Sequence, residues 1–311
     1  MFNIHRDNTH RIIFFGLYLS MYVSLFFGED TLGAAKSDYL NHYLNAGYFV
    51  NNILKSLLIY DTYDAAHSPI YLIWISFFIK HSIDDIFFKL FSLNLNLLTI
   101  IIFYNSLKII FGSKYKKNLL ILASVIFLSP TFRSSSIWPD SFLAGFIFFN
   151  ASVYFFLKFK FKERKKFKNS ILNTIFLSLS SYISPNFSLF VIYFFIEYFL
   201  YYKLSKSLCF LILLNLILAS PAIYYVFGLE IYFFSTRGRY NDFTPILSLK
   251  NFSNKFIIFP TIVFFHYFIL IFIDDNPIKK VKIKKLLFEL VFFSLIILIV
   301  SFSFSPPNSF L

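Results

Sequence analysis

The sequence predicts an all-α fold, a polytopic bundle of membrane-spanning helices, and three observations predict it. Of 311 residues, 58% are hydrophobic and only 14% charged, against about 25% charged in a typical soluble domain, so a water-facing surface would lack the charge to cover it. Apolar runs recur along the chain at lengths near the roughly 20 residues that carry a helix across a bilayer core. The 29 basic residues outnumber 16 acidic ones, yet they gather in short stretches between the apolar runs. That distribution encodes membrane topology and argues against a nucleic-acid partner.

Taken in order, the apolar runs predict about nine spans: 12–27, 86–111, 118–128, 142–157, 171–184, 187–202, 208–227, 256–273 and 286–304. The third and fifth are short, and Lys116 and Lys117 extend the third by snorkelling. With the amino terminus cytoplasmic, twenty of the 29 basic residues fall on the inside, seven of them in 158–168, which fixes the orientation by the positive-inside rule. The same rule decides a local ambiguity. The apolar stretch 69–79 would reach only about 16 Å as a helix, and counting it as a crossing would place the 158–168 cluster outside. It therefore reads as an interfacial helix, and the whole chain, 1–311, reads as one integral-membrane domain. Its long external segments are 28–85 and 228–254.

Within 28–85, Leu40, Tyr43, Leu44, Tyr48, Leu54, Leu57 and Leu58 recur at near-helical spacing, the pattern of an amphipathic helix lying on the membrane and bent at Gly47. The single cysteine, Cys209, excludes an intrachain disulfide and a cysteine metal cluster. No Gly-rich phosphate loop and no His-Glu-x-x-His pair is present.

Chemistry-bearing residues concentrate in the external segments. Glu29 and Asp30 follow the first span; Asp38 opens the amphipathic helix; His67 and Tyr71 flank a helix-starting proline in His67-Ser68-Pro69-Ile70-Tyr71. Arg133 runs against the inside bias of the basic residues, Trp138 reads as an interface anchor, and Asp140 reads as the N-cap of the next span. Arg237 and Arg239 bracket Gly238, and two guanidiniums so placed could grip a phosphate through paired N–H donors. Asp84 and Asp85 read as a helix cap. Glu197 is expected to pair with Lys203, and His266 to be packed within a span.

The order of these features resembles the GT-C superfamily of polyprenyl-phosphate-sugar-dependent membrane glycosyltransferases, close to the protein mannosyltransferase and aminoarabinose transferase branch. The stretch concerned is about 38–160. His67-Ser68-Pro69-Ile70-Tyr71 is similar to that family's His-Pro-Pro-Leu-Tyr helix start, with Ser68 replacing a proline. Leu128-Ser129-Pro130 followed by Arg133 and Asp140 is similar to its second external loop. The family's acidic pair after the first span has two rival counterparts here, Glu29-Asp30 and Asp38.

The resemblance implies a transferase that moves a sugar from a polyprenyl-phosphate donor to an acceptor hydroxyl on a glycan, lipid or protein, with inversion, on the external face of a bacterial inner membrane. Asp38 is the expected base, with Glu29 and Asp30 as reserves. His67, Arg133, Arg237 and Arg239 are the expected phosphate contacts, and Tyr71 and Asp140 further substrate contacts. Whether a divalent metal joins the carboxylates is open at this point. The rival readings are a flippase or carrier for a lipid-linked oligosaccharide, and a non-catalytic scaffold. The absence of a repeat and the external placing of polar groups count against the first.

Overall fold

The computed structural model describes residues 8–30, 35–63, 68–162 and 164–231. They form eleven α-helices, with no strand among the described residues: α1 (Thr9–Phe27), α2 (Ala35–Ala46), α3 (Ile53–Leu58), α4 (Pro69–Lys80), α5 (Asp85–Phe111), α6 (Lys116–Ser124), α7 (Pro130–Ile137), α8 (Ser141–Phe161), α9 (Lys166–Ile183), α10 (Phe190–Tyr202) and α11 (Lys206–Ile223). The helices start where the side chains allow. Asn52, Asp84, Asp140 and Ser205 each accept an N–H from the first turn of the helix that follows, satisfying a donor that has no intrahelical partner. Ser68 and Ser129 do the same ahead of Pro69 and Pro130, where proline costs nothing because its missing N–H would be unpaired anyway.

Four helices are long and apolar enough to cross a membrane: α1, α5, α8 and α11 with the turn that extends it to Gly228. A fifth is counted if α6, with its flanking turns, and α7 are joined across their 68° bend. Nine crossings are not supported. The predicted spans 171–184 and 187–202 do form helices, but α9 carries too many polar residues and α10 is only 13 residues long. The predicted spans 256–273 and 286–304, the loop 228–254 beyond residue 231, and His266 lie outside the described residues. The stretch 69–79 is a helix of 12 residues, α4, as its length predicts.

Polar residues hold the bundle together from inside. On α9, Ser170, Asn173, Thr174 and Ser180 are buried against α8 and α10. Asn173 Nδ2 donates to the Ser152 carbonyl at 2.9 Å and to its hydroxyl at 2.8 Å, Tyr198 donates to Asn173 Oδ1 at 2.7 Å, and Ser180 donates to the Gly145 carbonyl at 2.9 Å. In a lipid-facing bundle apolar burial drives little association, so small residues and hydrogen bonds of this kind decide which helices pair. An apolar cluster of Phe156, Phe159, Leu177, Phe194, Tyr198, Leu208 and Leu211 completes the contact. Glu197 pairs with Lys160 at 2.8 Å rather than with Lys203, because α8 and α10 lie side by side there.

The segment between α1 and α5 folds as short helices, with the break after Ala46 that Gly47 predicts. Leu40 and Leu44 are exposed, as a membrane-resting face requires. The inward face of α2 is a different one, Tyr39, His42 and Ala46, and it packs toward α4 and α5.

Candidate functional site

One end of the bundle gathers the C-terminus of α1, the start of α2, the first turns of α4 and α5, and the α7–α8 turn. Gly28 makes this possible. Its φ of 63° is left-handed, a conformation that glycine adopts without a Cβ penalty. The chain turns back there, so that the Glu29 N–H bonds the Ser24 carbonyl at 3.0 Å.

Glu29 is then met by Arg133. Nε donates to Oε1 at 2.8 Å and Nη2 to Oε2 at 2.7 Å, a paired fork that suits a guanidinium and a carboxylate. The remaining guanidinium donors reach Ser20 Oγ at 3.1 Å, the Phe127 carbonyl at 3.2 Å, and the Ser24 hydroxyl. The Phe127 carbonyl belongs to the helix that breaks before α7, so Arg133 satisfies backbone that the bend releases. Arg133 holds the Glu29 carboxyl far below its ordinary 4.5, at about 2. A carboxylate so stabilised is a poor proton acceptor, and an arginine so occupied is a poor phosphate ligand.

Trp138 sits beside this pair. It is only 8% exposed, and its indole N–H donates to the Glu29 carbonyl at 3.1 Å, so it is a packed residue rather than an anchor in the lipid headgroups. Its ring lies 6.0 Å from that of Tyr39 and carries two ammonium groups, Lys89 at 4.1 Å and Lys36 at 5.3 Å. Asp85 binds Lys89 at 2.5 Å and accepts the Tyr39 hydroxyl. Lys36 makes no ion pair among the described residues.

Two further carboxylates, Asp38 and Asp140, lie close enough for the charge of one to act on the other. Asp38 is exposed in the first turn of α2, four residues in, and is not the cap of that helix. Asp140 accepts the Leu143 N–H at 2.6 Å as the cap of α8. Its carboxyl is pushed up, chiefly by loss of water and further by the charge of Asp38; bonds from Leu143, Ser135 and Phe142 oppose the shift. Tyr71 lies against the same group. Its side chain is buried, with 3% of the residue exposed, and its hydroxyl has no hydrogen-bond partner among the described residues. Burial raises its pKa strongly, and the charge of Asp140 adds to that. The buried His42 ring packs edge-on to Tyr71 at 5.5 Å. Burial likewise raises Tyr39, with Asp85 as the second cause.

Of the sequence-predicted residues, Asp38, Asp140 and Tyr71 therefore form one group, and Glu29 and Arg133 a second one next to it. Asp30 joins the start of α2, accepting the Lys36 backbone N–H at 3.1 Å. His67, Arg237 and Arg239 lie outside the described residues. No protein-family model, curated protein or solved structure matches the chain.

Sequence reasoning missed Tyr39, His42, Lys36 and Lys89. A signal existed for two of them. His42 stands four residues after Asp38, one helical turn along the same face, and Lys36 defies the inside bias of the basic residues as Arg133 does. Among the described residues no three His, Cys, Asp or Glu side chains are grouped so as to hold a metal ion.

Proposed function

We propose that the chain is a membrane glycosyltransferase of the GT-C type, taking its sugar from a polyprenyl-phosphate donor on the external face, with the amino terminus cytoplasmic. The observation that carries this reading is that Asp140, the largely buried cap of α8, lies within electrostatic reach of the exposed Asp38. They come from segments about a hundred residues apart, beside a fully buried tyrosine hydroxyl that has no partner among the described residues, at the end of an apolar bundle. A lipid-linked donor presents its phosphate and sugar at headgroup depth, which is where the exposed Leu40 and Leu44 would seat α2.

The division of labour follows from the environments. Asp38, exposed and without a salt bridge among the described residues, is the base: it takes the proton of the acceptor hydroxyl as that oxygen bonds the anomeric carbon. The bond from that carbon to the phosphate oxygen breaks, and the electron pair leaves with the lipid phosphate. Lys36, above the Trp138 ring, is the cation assigned to that growing charge, a role in which a preoriented positive group lowers the barrier. Asp140, Tyr71 and His42 orient sugar hydroxyls. Glu29 and Arg133 act through structure, holding the α7–α8 turn and hence Asp140 in place.

The test uses membranes, radiolabelled polyprenyl-phosphate sugars and the Asp38→Asn variant. Transfer is expected to fall about 10²- to 10⁴-fold, the usual contribution of a general base, with insertion and abundance unchanged. Undiminished product from Asp38→Asn removes Asp38 from the chemistry. Loss of product in Glu29→Gln beside undiminished product in Asp38→Asn would move the base assignment to Glu29.

A further inference from the structure

Helix α11 is apolar along its length, yet only 6% of its most apolar stretch is buried. Pro221 near its end has no N–H, which frees the Ile217 carbonyl. Ser220 Oγ donates to that carbonyl at 2.9 Å, and the hydroxyl of Tyr182 on α9 donates to the next one, Leu218, at 2.6 Å. Neighbouring hydroxyls of this kind are what make an intramembrane proline tolerable. Beyond it the helix loosens into a π turn, Tyr224–Gly228, and Tyr225 donates to the Leu57 carbonyl at 2.8 Å. The end of α11 is thus tied to α9 and α3 through two tyrosine hydroxyls, and a gap is left between it, α4 and α9.

The gap is a chamber of about 520 Å³, walled by Leu177, Val191, Leu218, Ala219, Ala222 and Val226 among others. Four of the hydroxyls on its wall, those of Ser68, Ser181, Tyr182 and Tyr225, are already spent on backbone carbonyls, and Ser178, Ser188 and Asn215 are the other polar residues on a wall that is otherwise apolar. Water needs two to four polar partners to settle in such a space, and apolar cavities otherwise stay dry. The occupant is therefore hydrocarbon. A cavity of about 150 Å³ holds one benzene, so by the same ratio this one holds about twenty carbon atoms, one fatty-acyl chain. A polyprenyl carrier of many isoprene units exceeds that room.

We propose that the chamber binds a single acyl chain of a bilayer phospholipid as a structural lipid. The inference is independent of the glycosyltransferase reading. It is tested with the full chain in phosphatidylethanolamine–phosphatidylglycerol vesicles containing a trace of phosphatidylcholine with a diazirine near the acyl terminus, crosslinks being mapped by mass spectrometry. Labelling is expected to be several-fold richer at the half-buried Ala219 and Val226 than at the exposed Leu213 and Leu216 of the same helix. Ala219→Trp, which fills the chamber, should lower the chamber labelling several-fold and leave Leu213 unchanged; Ser178→Phe, from the opposite wall, should do the same, each with wild-type helicity. Even labelling along α11 overturns the proposal whatever the variants do. So does displacement of the label by polyprenyl phosphate, or a crosslink from a cysteine at position 219 to residues 232–311.

Discussion

Glu29 and Arg133 illustrate how single residues shape this molecule. The carboxylate titrates at about 2 in the fold and at about 4.5 when freed. A group whose folded value is lowered gives stability that is complete above the ordinary value and lost as the pH falls through it. The contribution should therefore hold above pH 4.5 and disappear between about 4.5 and 2. Glu29→Gln should cost about 1.5–3 kcal/mol at neutral pH, the range for hydrogen bonds to a charged group, and should remove the acid slope. Thermal midpoints of both proteins against pH check this; parallel curves would mean the pair contributes nothing. The sequence marks both residues, Arg133 by its place against the charge bias and Glu29 by its place after the first span. It does not reveal that they meet, because their pairing depends on the bend after Leu128, a tertiary event without a local signature. The same is true of Asp38 and Asp140, each legible as a candidate and neither legible as a neighbour of the other.

At the scale of elements, α8 and α9 carry the most revealing contact. Gly145 lets them close: a Cβ there would stand 3.0 Å from Ser184 Cβ, 3.1 Å from the Phe187 ring and 3.3 Å from the Ser180 carbonyl. Gly145→Ala should cost about 1–3 kcal/mol, as overpacking of a filled interface does, and lower the melting temperature in detergent by several degrees. An unchanged midpoint would mean that the neighbours relax freely. This contact also explains why the number of crossings is poorly legible. Hydropathy treats each residue as facing lipid, whereas Ser170, Asn173, Thr174 and Ser180 face other helices, so α9 resembles a surface helix by composition and a core helix by position. Short α4 was readable because length alone decides it. Similarly, the leucines of α2 announce an amphipathic helix, but its packed face is set by Tyr39 and His42, whose polar atoms hide them from an apolar count.

For the molecule as a whole, the partition of charge is the feature that ties fold to function. Lysines and arginines crowd residues 158–168, at the far end of α8, while Asp140 starts that helix and Glu29, Asp38 and Asp85 lie on the elements gathered near it. The all-helical architecture and its membrane-crossing length follow from composition and run length and are found in the structure. The function rests on which side of the bilayer the acidic end faces. Cysteine labelling decides that most directly: in a Cys209→Ser background, single cysteines at 38, 140 and 165 are treated with a membrane-impermeant thiol reagent in intact cells. Position 38 should react at once, position 140 more slowly but from the same side because it is largely buried, and position 165 only after permeabilisation. Reaction of 38 and 165 from the same side, or of 38 and 140 from opposite sides, would contradict an external site shared by the two carboxylates.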